Sequence, residues 1–277
     1  MDSSFLYWRG HKIHVAETGS GDPLLLITGL GGHVDMWEPL LHHFSKHRII
    51  CFDPPGAGTS SVPMLPVPVS MLADLCATVL TDRGVEWADV VGYSYGGAIA
   101  QQFAWEFPAR VRRLVLAATT CGIGGTPGSP RAMTVLSTPV RYYSKTYFDR
   151  TAPLTFGGRT GRNARVRQEI MESRHKHPPS MMGYAMQIAG AMGWSSLPFL
   201  HEIPHETLVI SGDDDPLVPV ANARQLASLI PRAQLALVED AGHLFLWDDA
   251  KRQGILVNEF LYAPHDTHIV DLLARQM

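Results

Sequence analysis

A chain of 277 residues, 45% hydrophobic and 18% charged, has ordinary globular composition and length for a large core. Its formal net charge of -3, with no basic block or basic helix, excludes the electrostatic footprint of a nucleic-acid binder. The longest aliphatic stretches, such as LLLI at 24–27, are far shorter than a membrane span, so no transmembrane segment is expected.

In chain order, residues 12–17 (KIHVAE), 24–28 (LLLIT) and 48–52 (RIICF) read as strands. A helix is predicted over 70–84, a strand over 88–92, a helix over 97–107 and a strand over 113–118. Most of these strands are near-continuous apolar runs, as expected of a parallel sheet buried on both faces. From 122 to 203 the strand signal disappears. That stretch opens with the turn-rich GIGGTPGSP and becomes rich in Met, Tyr and Arg, which reads as a helical insertion over the C-terminal edge of the sheet. Alternation then resumes with a strand at 207–211, a helix at 220–230 and a strand at 235–239. The expected fold class is α/β, a doubly wound, mostly parallel sheet. Its core would comprise 1–121 and 204–277, with 122–203 as a helical cap insertion.

Cys51, Cys76 and Cys121 give no disulfide framework, and Cys51 and Cys121 read as buried thiols. The opening MDSSFLYWRG lacks a basic stretch followed by an apolar one, so a cytoplasmic protein is expected.

Gly92-Tyr93-Ser94-Tyr95-Gly96 lies where an apolar strand runs into a helix. This is the context of a nucleophile elbow, in which a tight turn presents the serine at a helix N-terminus. The competing reading is an ordinary strand-to-helix turn with a capping serine. A serine needs a base, and the base needs an acid to orient it. His243, in DAGHLFL at 240–246, follows the strand at 235–239 and is the expected base; His265 and His268 lie past the last core helix. GDDDPLVP at 212–219 follows the strand at 207–211. Asp215, just before Pro216, is the expected acid, with Asp214 the second choice.

The oxyanion donors expected are the backbone N–H groups of Tyr95 and Leu30, the latter in the glycine-rich TGLGGH at 28–33. His33 in that loop could line the site, but a loop histidine is more often solvated, and that is the expectation. Gly29 and Tyr93 beside these donors, and Met186 and Trp194 from the insertion, are the expected substrate contacts. The apolar insertion suits a lipid-like substrate, although most of its methionines read as its own small core. HEIPH at 201–205 fits a zinc pattern that works only on a helix, and Pro204 breaks it. No metal and no organic cofactor are expected.

These pieces together resemble the α/β-hydrolase superfamily, as does DPPGAGTS at 53–60. QQFAWEFPARVRRLVLAAT at 101–119, GWSSLPFLHEI at 193–203, GDDDPLVP and GHLFL narrow the likeness to intracellular medium-chain-length polyhydroxyalkanoate depolymerases. It runs from about Ile13 to Leu261 and includes Arg141-Tyr142-Tyr143 and Gly157-Gly158. Tyr93-Ser94-Tyr95 stands where members often have Val-Ser-Trp, and Thr28 where many have His or Asn. The resemblance implies a serine carboxylester hydrolase cleaving 3-hydroxyacyl esters through an acyl-enzyme on Ser94, His243 and Asp215. It implies a small-molecule or polyester substrate; a polyester granule surface and a homo-oligomer stay open as further partners. The same three residues would serve a generic esterase, a carbon–carbon bond hydrolase or a perhydrolase. A non-enzymatic receptor on this fold would show a degraded set, whereas here every part is present.

Overall fold

In the computed structural model, residues 1–269 are described; residues 270–277 of the expected core lie outside them. The strands are β1 (Asp2–Trp8), β2 (His11–Gly19), β3 (Asp22–Ile27), β4 (His47–Phe52), β5 (Ala88–Tyr93), β6 (Val111–Ala117), β7 (Glu206–Gly212) and β8 (Ala233–Val238). They form one sheet in the order β1-β2-β4-β3-β5-β6-β7-β8. Only β2 runs against its neighbours; β3 to β8 are parallel.

Strand periodicity divides the core in two. Leu25, Ile27, Val90, Leu114 and Leu116 point to one face, against Leu72, Val79, Ile99, Phe103 and Leu226. Their sequence neighbours Leu24, Leu26, Val91 and Val115 point to the other, against Trp37, Leu40, Leu256 and Phe260. Each parallel strand is therefore apolar at consecutive positions, because alternate side chains serve different layers of helices.

The helices are α1 (Glu38–Leu41), α2 (Val69–Asp82), α3 (Tyr95–Glu106), six between β6 and β7, then α10 (Val220–Leu229), α11 (Phe245–Asp248) and α12 (Ala250–Tyr262). The six are α4 (Pro130–Leu136), α5 (Val140–Tyr143), α6 (Lys145–Thr155), α7 (Gly158–Arg162), α8 (Ala164–Arg174) and α9 (Met181–Ala191). The ends of this segment meet. Gly122 bridges Ser195, Ile123 N–H donates to the Trp194 carbonyl at 3.0 Å, and Ser196 N–H donates to the Cys121 carbonyl at 2.9 Å. No helix among the described residues is long and apolar enough to cross a membrane. All three cysteines are free and buried.

β1 was not expected from the sequence. Only Leu6 and Trp8 of it face the core, while Phe5 and Tyr7 are exposed, so it lacks the continuous apolar run. Its hairpin turns at Arg9 and Gly10, both at positive φ, which matches the twist of a two-residue turn.

His47 opens β4 with its ring fully buried against Tyr262 and Phe44. Burial, helped by the Arg112 charge, lowers its pKa to about 4. In the unfolded chain the value is near 6.5, so between these limits only the unfolded chain takes the proton. The stabilisation is complete above pH 6.5 and is lost as pH falls through 4. It amounts to at most about 3 kcal/mol. In urea titrations across this range, His47→Phe is expected to flatten the decline; an unchanged slope would contradict the assignment.

Candidate active site

Ser94 sits between β5 and α3 with φ 53° and ψ -116°. For a residue with a β-carbon this conformation costs about 1–3 kcal/mol, and the surroundings must impose it. Ser94 N–H donates to the Ala117 carbonyl at 2.8 Å, and the Ser94 carbonyl accepts from Gly97 N–H at 2.9 Å and Thr119 Oγ1 at 2.7 Å. The flanking glycines are a steric requirement. A β-carbon on Gly96 would overlap the Ile27 carbonyl, and one on Gly92 would lie 2.6 Å from the Ala100 β-carbon. The spacing Gly-x-Ser-x-Gly is thus what lets α3 pack this close to β3 and β5.

The loops after β7 and β8 leave the same C-terminal edge, where a doubly wound sheet places its ligands. His243 Nε2 lies 3.1 Å from Ser94 Oγ, and His243 Nδ1 lies 2.7 Å from Asp215 Oδ2. Asp215 Oδ1 accepts from the Leu217 and Val218 N–H groups, both at 2.8 Å, which fixes the carboxylate. Asp215 and His243 are 6% and 3% exposed. Asp214, the alternative acid, is exposed and turned away, paired with Arg162 at 3.0 Å. His265 is also remote, bonded to Glu206.

The helical segment reaches down onto this arrangement. The Phe156 carbonyl accepts from His243 N–H at 2.6 Å, and the His243 ring lies between those of Phe156 and Tyr93. Next to Phe156, Gly158 has φ 51°, and a β-carbon there would overlap the backbone of Gly242. Gly157-Gly158 therefore lets the segment touch the loop that carries His243.

Leu30, Tyr95 and Ser94 line one cavity of about 580 Å³. Tyr95 is the first residue of α3, so its N–H has no acceptor within the helix. The loop holding Leu30 is tied to the helical segment: the Leu30 carbonyl accepts from Tyr142 Oη at 2.7 Å, and Gly31 N–H donates to Gln187 Oε1 at 2.8 Å. Trp194 lines this cavity with Ile123, Met133, Ile188, Met192 and Leu217. Gly29 and Tyr93 line a smaller adjoining chamber with Ser94 and His243. Tyr93 Oη also donates to the His243 carbonyl at 2.9 Å.

Two expectations are corrected. Met186 lines neither space; it packs with Pro55, Pro63, Val67 and Tyr95. Ile188 and Ala191 form the face of α9 turned to the cavity, with Met192 just past its end, and Met186 lies about 200° around the helix from Ile188. His33 is not solvated but fully buried, its ring edge-on to His177 with centroids 5.4 Å apart, and burial lowers its pKa. The sequence reading missed Phe156, Arg141 and Arg174, which border the smaller chamber. In HEIPH, His201 is exposed, whereas His205 is buried against the Ala104 carbonyl.

A family model described as alpha/beta hydrolase fold matches residues 22–250. The chain is 38% identical over 240 residues to a poly(3-hydroxyalkanoate) depolymerase of Ectopseudomonas oleovorans, covering 86% of this chain and 84% of that protein. It is 31% identical over 266 residues to a 2-hydroxymuconate semialdehyde hydrolase of Pseudomonas sp. strain CF600, covering 91% of each. A crystal structure of a hydrolase from Pseudomonas aeruginosa PA01 superposes with a TM-score of 0.81 at 24% identity, over 95% of this chain and 99% of that one. By fold and by sequence, the chain belongs to the α/β-hydrolase family and is similar to polyhydroxyalkanoate depolymerases.

Proposed function

We propose that the protein is a serine carboxylester hydrolase acting on medium-chain 3-hydroxyacyl esters. The observation that carries this reading is the unbroken chain from Ser94 Oγ through the His243 ring to Asp215 beside a large, mainly apolar cavity. Its volume is within the ordinary range of ligand pockets. The identity to a poly(3-hydroxyalkanoate) depolymerase supports the choice of acyl group.

His243 Nε2 takes the Ser94 proton as Oγ attacks the ester carbonyl carbon. The Tyr95 and Leu30 N–H groups donate to the oxyanion that forms. Asp215 accepts the Nδ1–H bond, which holds the reactive tautomer and stabilises the imidazolium. The carbonyl–oxygen bond then breaks, the alcohol leaves with the proton from Nε2, and the acyl group remains on Ser94. A water that loses its proton to His243 releases the acid and restores the serine. Residues 122–203 serve as the cap that covers the apolar acyl chain.

A second reading is carbon–carbon bond hydrolysis on the same residues, favoured by the 31% identity to 2-hydroxymuconate semialdehyde hydrolase. The two separate in one assay. With p-nitrophenyl esters from C2 to C12 and a medium-chain polyhydroxyalkanoate latex, turnover is expected to peak at C8 or longer, with hydroxy acid released from the latex. Cleavage of a vinylogous diketone with no action on these esters would overturn the ester reading.

A further inference from the structure

The smaller chamber beside Ser94 contains an electrostatic imbalance. Arg141 and Arg174 both line it, together with Ser94, His243 and Tyr142, and they are only 2% and 4% exposed. Among the described residues, neither guanidinium forms an ion pair with a carboxylate. Arg174 Nε and Nη1 and Arg141 Nε have no hydrogen-bond partner among them. Arg141 spends its other nitrogens on the Thr138 carbonyl at 2.9 Å and Tyr184 Oη at 2.8 Å.

Aromatic faces compensate in part. Arg141 lies over Tyr142 and Tyr184, and Arg174 over Tyr142 and Phe156, at 4.8–5.3 Å from the ring centroids. Such contacts are individually weak beside the cost of removing a charge from water. Two cations sharing one tyrosine ring also repel each other. A carboxylate would satisfy both, since its two oxygens match the open edge of a guanidinium.

The position of the chamber says which part of a substrate would carry that carboxylate. The large cavity is bordered by Ser94, Leu30 and Tyr95 but not by His243, and suits the acyl chain. The chamber is bordered by both Ser94 and His243. Because His243 Nε2 delivers the proton to the leaving oxygen, the leaving alcohol sits on this side. The chamber holds about 20 Å³, room for little more than one water-sized group. Only the carboxylate end of the alcohol half would therefore enter it, and the alkyl part of that half would lie towards the large cavity, which shares Leu30, Ser94, Leu136 and Leu217 with the chamber.

We propose that Arg174, together with Arg141 over the same Tyr142 ring, is a subsite for a free carboxylate on the leaving alcohol. The favoured substrate is then a 3-hydroxyacyl oligomer with a free acid end, cut at its last ester so that one hydroxy acid departs per turnover. In that ester the alcohol half bears its carboxylate two carbons from the oxygen that leaves. This inference rests on the ester-hydrolase reading above.

The test compares a 3-hydroxyoctanoyl dimer as the free acid with the same dimer capped as the primary amide. Wild type is expected to show at least about tenfold higher kcat/KM on the acid, the scale of one charge-assisted contact. The ratio should fall towards one in Arg174→Gln and be partly kept in Arg174→Lys. Equal cleavage of both dimers by wild type overturns the subsite and leaves the ester reading intact, and this arm needs no variant to fold. An Arg174→Gln protein that slows both dimers equally, keeping the wild-type ratio, assigns Arg174 to packing and also overturns the subsite. Cleavage of neither dimer by wild type overturns both readings.

Discussion

Ser94→Ala is expected to lower turnover of a medium-chain p-nitrophenyl ester by roughly 10⁵–10⁶-fold, with binding of substrate little changed, because loss of the nucleophile disables the whole relay. The same site carries a stability signature. Ser94 holds positive φ, and alanine keeps the β-carbon that makes this costly, whereas glycine does not. Ser94→Gly should therefore be more stable than Ser94→Ala by about 1 kcal/mol while being equally inactive. Thermal or urea unfolding of the two variants reads this difference. Retained ester turnover in the alanine variant would reduce the elbow to an ordinary turn.

The second large effect concerns two neighbouring aspartates. Asp215→Asn should lower kcat by about 10⁴-fold. Asp215 Oδ1 is already committed to the Leu217 and Val218 N–H groups, so the amide would present its NH₂ to His243 Nδ1 and favour the wrong tautomer. Asp214→Asn should change kcat by less than about threefold, since Asp214 is exposed, does not touch His243, and the amide oxygen can still accept from Gly158 N–H and Arg162 as the carboxylate does. Steady-state kinetics of both variants on one ester discriminates the residues. Equal losses in the two would contradict the role given to Asp215.

Why those positions could be read from sequence, and others not, follows from the range of the forces involved. The parallel strands declare themselves because Leu24 to Ile27 face both helix layers in turn, so the pattern is local. Gly92, Ser94 and Gly96 are likewise fixed by a clash within one turn and its nearest strand. Asp215 and His243 follow strand ends, and strand ends on one edge converge. β1 was invisible because half of it faces solvent. Met186 was misplaced because composition marks α9 as apolar without giving its phase against the core. His33 was misplaced because its buried ring meets His177, far along the chain and in the segment between β6 and β7, a contact that the loop's own sequence does not announce. Arg141 and Arg174 come from two different helices and meet only through Tyr142, so no short motif announces them.

Covalent trapping would show whether Ser94 is the nucleophile and whether His243 activates it. The protein would be treated with an alkyl fluorophosphonate and digested, and the labelled residue located by peptide mass spectrometry, for wild type and His243→Ala. One adduct is expected, on Ser94, forming at least about 10³-fold more slowly without His243. An adduct on another residue, or labelling of Ser94 at the same rate without His243, would contradict these roles.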